Sequence, residues 1–443
     1  MFSPNLATVS LIGPQLASAR TLPYTTLGNP FWDLAGATPS LDLRFAENKS
    51  LVDAVSGQNL VTFTRASSGT FIDSQGLIQT AAENVPRFTH DPVTGESLGL
   101  LVEEQRTNSI RNNTMQGAVV GTPGTLPTNW QKAENSSMAI NIVGVGTENG
   151  VQYVDVRYVG TASGSTSSSI QFEQNSAIAA ANGQTWTVSS FVKIQSGTRA
   201  GVSLLRIGWE ERSGSFLAIS QGTINPATSG SLASARFAFT ATNGNASTTF
   251  IKPFINFTPV NGAAIDITLR IGLPQLEQGS FATSVIPTTV SAATRSAEPA
   301  DVISAAIANG IRTLYLEFRS PASGTRGVVS LNDNTANERA SVITSGTDPR
   351  LVVVDGGVEQ ANINGGTITA NARTRVAVRI NANDFAASIN GGATVTDTSG
   401  TLPTVDRLML GRTQAGEYLT GRLARVVGWR DPLPDLTLRT LSA

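Results

Sequence analysis

Hydrophobic and polar positions alternate with a period of two through much of the chain. Ile265, Ile267, Leu269 and Ile271 are separated by Asp266, Thr268 and Arg270, and Val376, Val378 and Ile380 by Ala377 and Arg379. The segments 314–318 and 423–429 keep the same period. Successive side chains of a strand point to opposite faces, so the pattern predicts half-buried β-strands with one face on a core. Asn-Gly recurs between such stretches, at Asn149, Asn182, Asn243, Asn261, Asn309, Asn364 and Asn390. This dipeptide favours the positive-φ pair of a tight hairpin, which needs a strand on either side. A helical period is confined to short pieces such as 301–308 and 176–181. The expected fold class is all-β, with tandem jelly-roll or β-sandwich domains.

The alternation lapses at 28–39, 121–127 and 287–300, where Pro, Gly, Thr, Ser and Ala accumulate. These lapses divide the chain into an extended N-terminal leader (1–37), a first β module (38–120), a jelly roll (121–290) and a C-terminal sandwich (299–443). The length of 443 residues is ample for several domains of about 100–200 residues each. The leader carries a motif, Ile12-Gly13-Pro14-Gln15-Leu16, that parallels Ile271-Gly272-Leu273-Pro274-Gln275-Leu276. The second copy closes the jelly roll, whereas the first has no sheet before it. A strand without a parent sheet can pair with another polypeptide. The leader is therefore expected to dock onto a particle through Ile12, Leu16, Tyr24, Phe31 and Trp32, chance similarity in a Pro/Thr-rich chain being the plain alternative.

Charge and composition then remove whole classes of function. The 31 basic and 32 acidic residues leave no basic excess to neutralise phosphates, which argues against nucleic-acid binding. With no cysteine, disulfide scaffolds, thiolate catalysis and thiolate metal sites drop out. The single histidine, His90, precedes an Asp91-Pro92 and Thr94-Gly95 turn and reads as structural. No apolar run reaches membrane-spanning length, so no membrane insertion is expected. The stretch 1–26, broken by Pro4, Gly13 and Pro14, does not read as a signal peptide. Phosphate-binding glycine loops and His-Glu-x-x-His are lacking. Glu103-Glu104 and Glu210-Glu211 are adjacent carboxylates, and strand neighbours face opposite ways and cannot flank one glycosidic bond. The chain is expected not to be an enzyme; carboxylates brought together by folding into a polysaccharide depolymerase are the alternative.

Two clusters remain as candidate chemistry. Trp209 opens Trp209-Glu210-Glu211-Arg212, a strand running into a polar turn. An indole beside carboxylate and guanidinium groups there would suit a sugar ring, whereas core packing is the ordinary role of a strand tryptophan. The loop Asn332-Asp333-Asn334-Thr335-Ala336-Asn337-Glu338 is oxygen-rich, and Asp333 and Glu338 would ligate Ca2+ if an ion binds there. It lacks the central glycine of a helix-flanked calcium loop, so an Asx-rich turn is the simpler reading and no other cofactor is indicated. Arginine outnumbers lysine 27 to 4, a bias that suits protein interfaces and carboxylate-bearing glycans, and one that genome base composition explains equally well.

Two stretches resemble known virion proteins. Thr62-Phe63-Thr64-Arg65-Ala66-Ser67-Ser68-Gly69-Thr70, then Pro86-Arg87-Phe88 and Leu100-Leu101-Val102-Glu103-Glu104-Gln105-Arg106-Thr107-Asn108, resembles a module of tailed-bacteriophage and prophage structural proteins, and 271–295 looks like its usual companion. The intervening 129–274 is similar to carbohydrate-binding-module jelly rolls, and the chain from Arg312 onward to laminin-G or concanavalin-like sandwiches. The resemblance implies a fibre, spike or tail protein located in the virion, assembled in the host cytoplasm and released by lysis. Its implied partners are other virion proteins of the tail, collar or capsid vertex and a host-surface glycan. It also implies a homo-oligomer, with a trimer favoured. A ligand-free adaptor or capsid decoration protein is the alternative.

Overall fold

The computed structural model describes residues 30–321 and 323–443, and all structural counts and absences below refer to these. Ile12, Leu16 and Tyr24 lie outside the described residues.

The fold is all-β and is built on two sandwiches. In the jelly roll, a five-stranded sheet runs in the order Arg236–Thr242, Thr185–Gly197, Ala264–Gln278, Val151–Thr161 and Ala139–Glu148. Facing it is a six-stranded sheet in the order Phe216–Thr223, Val202–Arg212, Phe250–Pro259, Ser168–Gln171 and Gln131–Ala133, with Ile178–Ala179 also paired to Phe250–Pro259. The alternation read from sequence is kept: Ile265, Ile267, Leu269 and Ile271 all enter the core between the sheets. Asn149 (φ 52°) and Gly150 (φ 77°) make the two-residue turn joining Ala139–Glu148 to Val151–Thr161. A Cβ at Gly150 would also lie 2.4 Å from the Ile78 carbonyl oxygen, so the position demands glycine on both counts.

The second sandwich draws on the two ends of the described chain. Its eight-stranded sheet contains Thr313–Arg319, Thr374–Asn381 and Asp384–Ile389 from the C-terminal part, together with Leu41–Leu43, Phe88–His90 and Ser97–Val102 from the N-terminal part. Both Leu41–Leu43 and Ser97–Val102 pair antiparallel with Gly421–Trp429. In the opposing seven-stranded sheet, Val61–Phe63 pairs with Ala300–Ile303. Residues 38–120 thus do not fold as a module apart from 299–443, which corrects the sequence-based division. The physical reason is size: strands of three to six residues cannot enclose a core alone. Leu41, Leu43, Phe45, Leu100 and Val102 are buried instead in one cluster with Leu314, Leu316 and Val426.

The leader boundary moves as well. Helix Pro30–Ala35 and helix Asp435–Ser442 lie on the outer face of the eight-stranded sheet, where Ala35, Leu438 and Leu441 are buried with Tyr315, Val427 and Trp429. The Phe31 ring sits 4.5 Å from Tyr315 and 6.2 Å from Trp429, centroid to centroid. Trp32 Nε1 donates to Asp42 Oδ2 at 2.9 Å. Both aromatics are therefore built into this chain's own sandwich, and the expectation that they dock onto another protein is corrected. The 301–308 stretch splits into strand Ala300–Ile303 and a single helical turn, Ala305–Ala308, capped by the Ser304 side chain.

Where the two sandwiches meet, arginines and glutamates are buried together. Arg87 binds Glu298 through Nε at 2.8 Å and Glu103 through Nη2 at 2.8 Å. Arg65 reaches Glu298 at 2.7 Å, and Arg295 lies 3.1 Å from Glu103. All five residues are at most 3% exposed. Arg65, Arg87, Glu103 and Arg295 are motif residues of the phage-like stretches, so that signature encodes a joint between sandwiches.

Candidate functional site

Trp209 does not face a ligand. Its indole is fully buried, its Nε1 donates to Asn243 Oδ1 at 2.9 Å, and its ring lies 5.5 Å from Phe239. Glu211 also points inward and is consumed as an acceptor for the amides of Gly244 and Asn245 and for the Thr248 hydroxyl. The four residues grouped as a candidate site therefore divide: Trp209 and Glu211 share the core face, as the packing alternative had it for Trp209, and Glu210 and Arg212 the other. Glu210 and Arg212 pair there at 2.5 Å, with the Lys252 ammonium 3.3 Å from Glu210. Asp333 and Glu338 fail as a calcium pair for a similar reason. Asp333 Oδ1 accepts from Thr335, while Glu338 accepts from the amides of Gly356 and Thr404. No group of three acidic or histidine side chains able to hold a metal occurs among the described residues. His90 is buried, with Nδ1 3.2 Å from the Ile72 carbonyl oxygen.

What the structure assembles instead is the outward face of the six-stranded sheet. Directly opposed residues of antiparallel strands share a face. One cross-strand row is therefore Ser169, Asn256, Arg206 and Thr223, the next is Gln131, Gln171, Phe254, Gly208 and Gln221, and a third joins Lys252, Glu210 and Ile219. The interleaved Ile170, Ile255, Leu205, Ile207 and Trp209 fill the core. On the central strand Lys252, Phe254 and Asn256 are buried although they face outward, as are Ser169 and Gln171 on the neighbouring strand, and together they form the floor of this face. Burial holds the Lys252 ammonium below the usual lysine range, with Glu210 pulling it back up. Asn256 Oδ1 and Gln221 Oε1 are shielded and lack a hydrogen-bond partner.

At the strand Gln131–Ala133 this face runs into a cavity of about 460 Å³ lined by Arg111, Gln131, Gln174, Asn175, Ser176 and Ala177. Lys252 Nζ donates to Asn175 Oδ1 at 2.8 Å and so links floor and cavity. The side-chain amides of Gln131 and Gln174 have no hydrogen-bond partner among the described residues. The outward face of the other jelly-roll sheet is arranged differently. There Arg270 lies 3.6 Å from the Tyr153 ring centroid and is held by Asp155 and Glu148, which also takes Lys193. Its ionic groups are satisfied by one another, whereas the six-stranded face keeps spare donors and acceptors.

Sequence reasoning missed Arg111, Gln131, Gln174, Asn175, Arg206, Gln221, Lys252 and Asn256. Alternation with Ile251, Ile255 and Leu205, Ile207 marks Lys252, Asn256 and Arg206 as outward. It cannot tell an open outward face from one that closes on itself.

The fold defines a tandem β-sandwich protein with a polar, amide-lined face. No family model and no curated protein matches the chain. Among solved structures, it is similar to the tripod of the bacteriophage Tuc2009 baseplate at 13% identity over 77% of this chain and 98% of that one, with a TM-score of 0.28. A CBM22 tandem from Paenibacillus barcinonensis Xyn10C matches at 10% identity over 72% and 96%, with a TM-score of 0.23. A Streptococcus pneumoniae sialidase matches at 14% identity over 32% of this chain and 26% of its own, with a TM-score of 0.28. At such scores these likenesses carry no argument about function.

Proposed function

We propose that the chain is a saccharide-binding appendage protein of a phage-like particle, with the jelly roll as its binding domain. The observation that carries the binding half is the continuous polar surface from Gln221 to Arg111, where free amides and shielded oxygens await partners. Hydroxyl-rich ligands satisfy such groups, and a site built to hydrogen-bond them discriminates against ligands that leave its buried polar atoms unpaired. The virion half rests on the resemblance of 62–108 and 271–295 to phage structural modules. The reading is of a binder and not a hydrolase: Glu103 and Glu298 are spent on arginines and Glu211 on backbone amides. Weak saccharide contacts gain from repetition, which supports a homo-oligomer, a trimer before other closed forms.

The test is incubation of the full chain with purified surface polysaccharide of the host. The expected outcome is retention of the protein on the polymer with the polymer length unchanged. A shortened polymer would establish the depolymerase reading, and a folded protein that ignores every host polysaccharide would leave the adaptor reading. Light scattering on the same preparation reports the oligomeric state.

A further inference from the structure

The cavity beside the sheet contains a cation placed by design of the fold. Glu173 is fully buried and receives three groups of Arg111: the backbone amide at 2.6 Å, Nε at 3.2 and 3.1 Å to its two oxygens, and Nη2 at 2.8 Å. This fork fixes the plane of the guanidinium. Nη1 makes no hydrogen bond among the described residues, and the side chain keeps 35% of its surface exposed in the cavity wall. A buried carboxylate behind and an open guanidinium edge in front is a preorganised anion clamp: the entropy of ordering the arginine is spent before any ligand arrives. Around it stand only small or neutral polar groups, the amides of Gln131, Gln174 and Asn175 and the Ser176 hydroxyl. No carboxylate lines the cavity to repel an anion.

We infer that this cavity takes an anionic sugar unit, its carboxylate or sulfate on Arg111 Nη1 and its hydroxyls on the surrounding amides. The inference rests on the saccharide-binding reading and narrows it to acidic glycans. The cavity volume suits one or two sugar units, and its mainly polar lining, with Ala177 the one apolar side chain, disfavours an aromatic or lipid ligand. The neighbouring Lys252, held on Asn175 Oδ1, orients that amide so that its nitrogen is left to donate.

The experiment uses the full chain and immobilised oligogalacturonate, the same oligomer with every carboxyl methyl-esterified, polysialate, heparin and a neutral glucan. The variants are the double replacement Arg111→Gln with Glu173→Gln and the single Gln174→Ala. The double variant puts an amide pair where the ion pair stood, so no lone carboxylate is left buried. The wild type is expected to bind a charged chain at least about tenfold more tightly than the neutral ones, the size of one charge-assisted bond. The double variant is expected to lose that preference, and Gln174→Ala to weaken binding of the charged chain while melting unchanged. Oligogalacturonate and polysialate against heparin separate carboxylate from sulfate. Equal binding of charged and neutral chains by the wild type, or a preference untouched by both variants, overturns the anionic assignment and leaves the saccharide-binding function standing. Binding of none of these chains by a protein that is retained on the host polysaccharide overturns the assignment and leaves the function standing, whereas failure on the host polysaccharide as well overturns both. Should the double variant fail to fold, an unaltered affinity of Gln174→Ala for the charged chain overturns the assignment by itself.

Discussion

Arg65 and Glu298, 233 residues apart in sequence, meet in a fully buried ion pair at 2.7 Å. Glu298 also accepts from Arg87 and from the Glu103 amide, at 2.8 and 3.0 Å. One carboxylate therefore ties Arg65, Arg87 and Glu103 of the N-terminal part to the start of the C-terminal sandwich. Breaking a buried pair from one side leaves the other charge uncompensated. Glu298→Gln is expected to cost about 3–5 kcal/mol of stability, read from denaturant midpoints. A loss below about 1 kcal/mol, the range of exposed pairs, would show that the network does not hold the joint.

Acid should loosen the same joint. Burial works against ionisation of Glu103, but the charges of Arg295 and Arg87 and the Ser284 hydrogen bond outweigh it and hold its carboxyl well below the usual range. A folded value below the unfolded 4.5 means that the stabilisation is complete above that pH and is lost as the pH falls beneath it. Unfolding midpoints should be level from neutrality to about pH 5 and decline below. In Glu103→Gln the decline should be shallower from a lower starting stability. An identical acid limb in wild type and variant would assign the effect to other carboxylates.

Trp209→Ala is a core deletion. With the indole fully buried and bonded to Asn243, it should lower stability by about 3–5 kcal/mol. Saccharide binding per folded molecule should persist. Unchanged melting with abolished binding would reverse this assignment.

Phe31→Ala tests whether the leader boundary lies before residue 30. The ring packs on Tyr315 and Trp429 and lies 4.3 Å from the Arg425 guanidinium carbon. Being half-buried, it should cost less than a fully buried phenylalanine, about 1–2 kcal/mol. A melting temperature equal to wild type would return Phe31 to the list of docking residues.

The alternation of Ile265, Ile267, Leu269 and Ile271 determined a strand and its inward face, and Asn149-Gly150 determined a hairpin, because both depend on chain geometry within a few residues. The two-sandwich class followed from many such local signals. Sequence could not decide that Leu41–Leu43 lies against Gly421–Trp429, since strand pairing across nearly the whole chain is set by which faces are left to bury. Nor could it decide that Trp209 looks inward: an aromatic on a strand reads the same whether its face meets a core or a ligand. Arg111 became a candidate only when folding brought Glu173 behind it and Gln131 and Gln174 beside it. A binding surface is made of residues distant in sequence and adjacent in space, and the free energy that brings them together belongs to the cores beneath, not to the residues themselves.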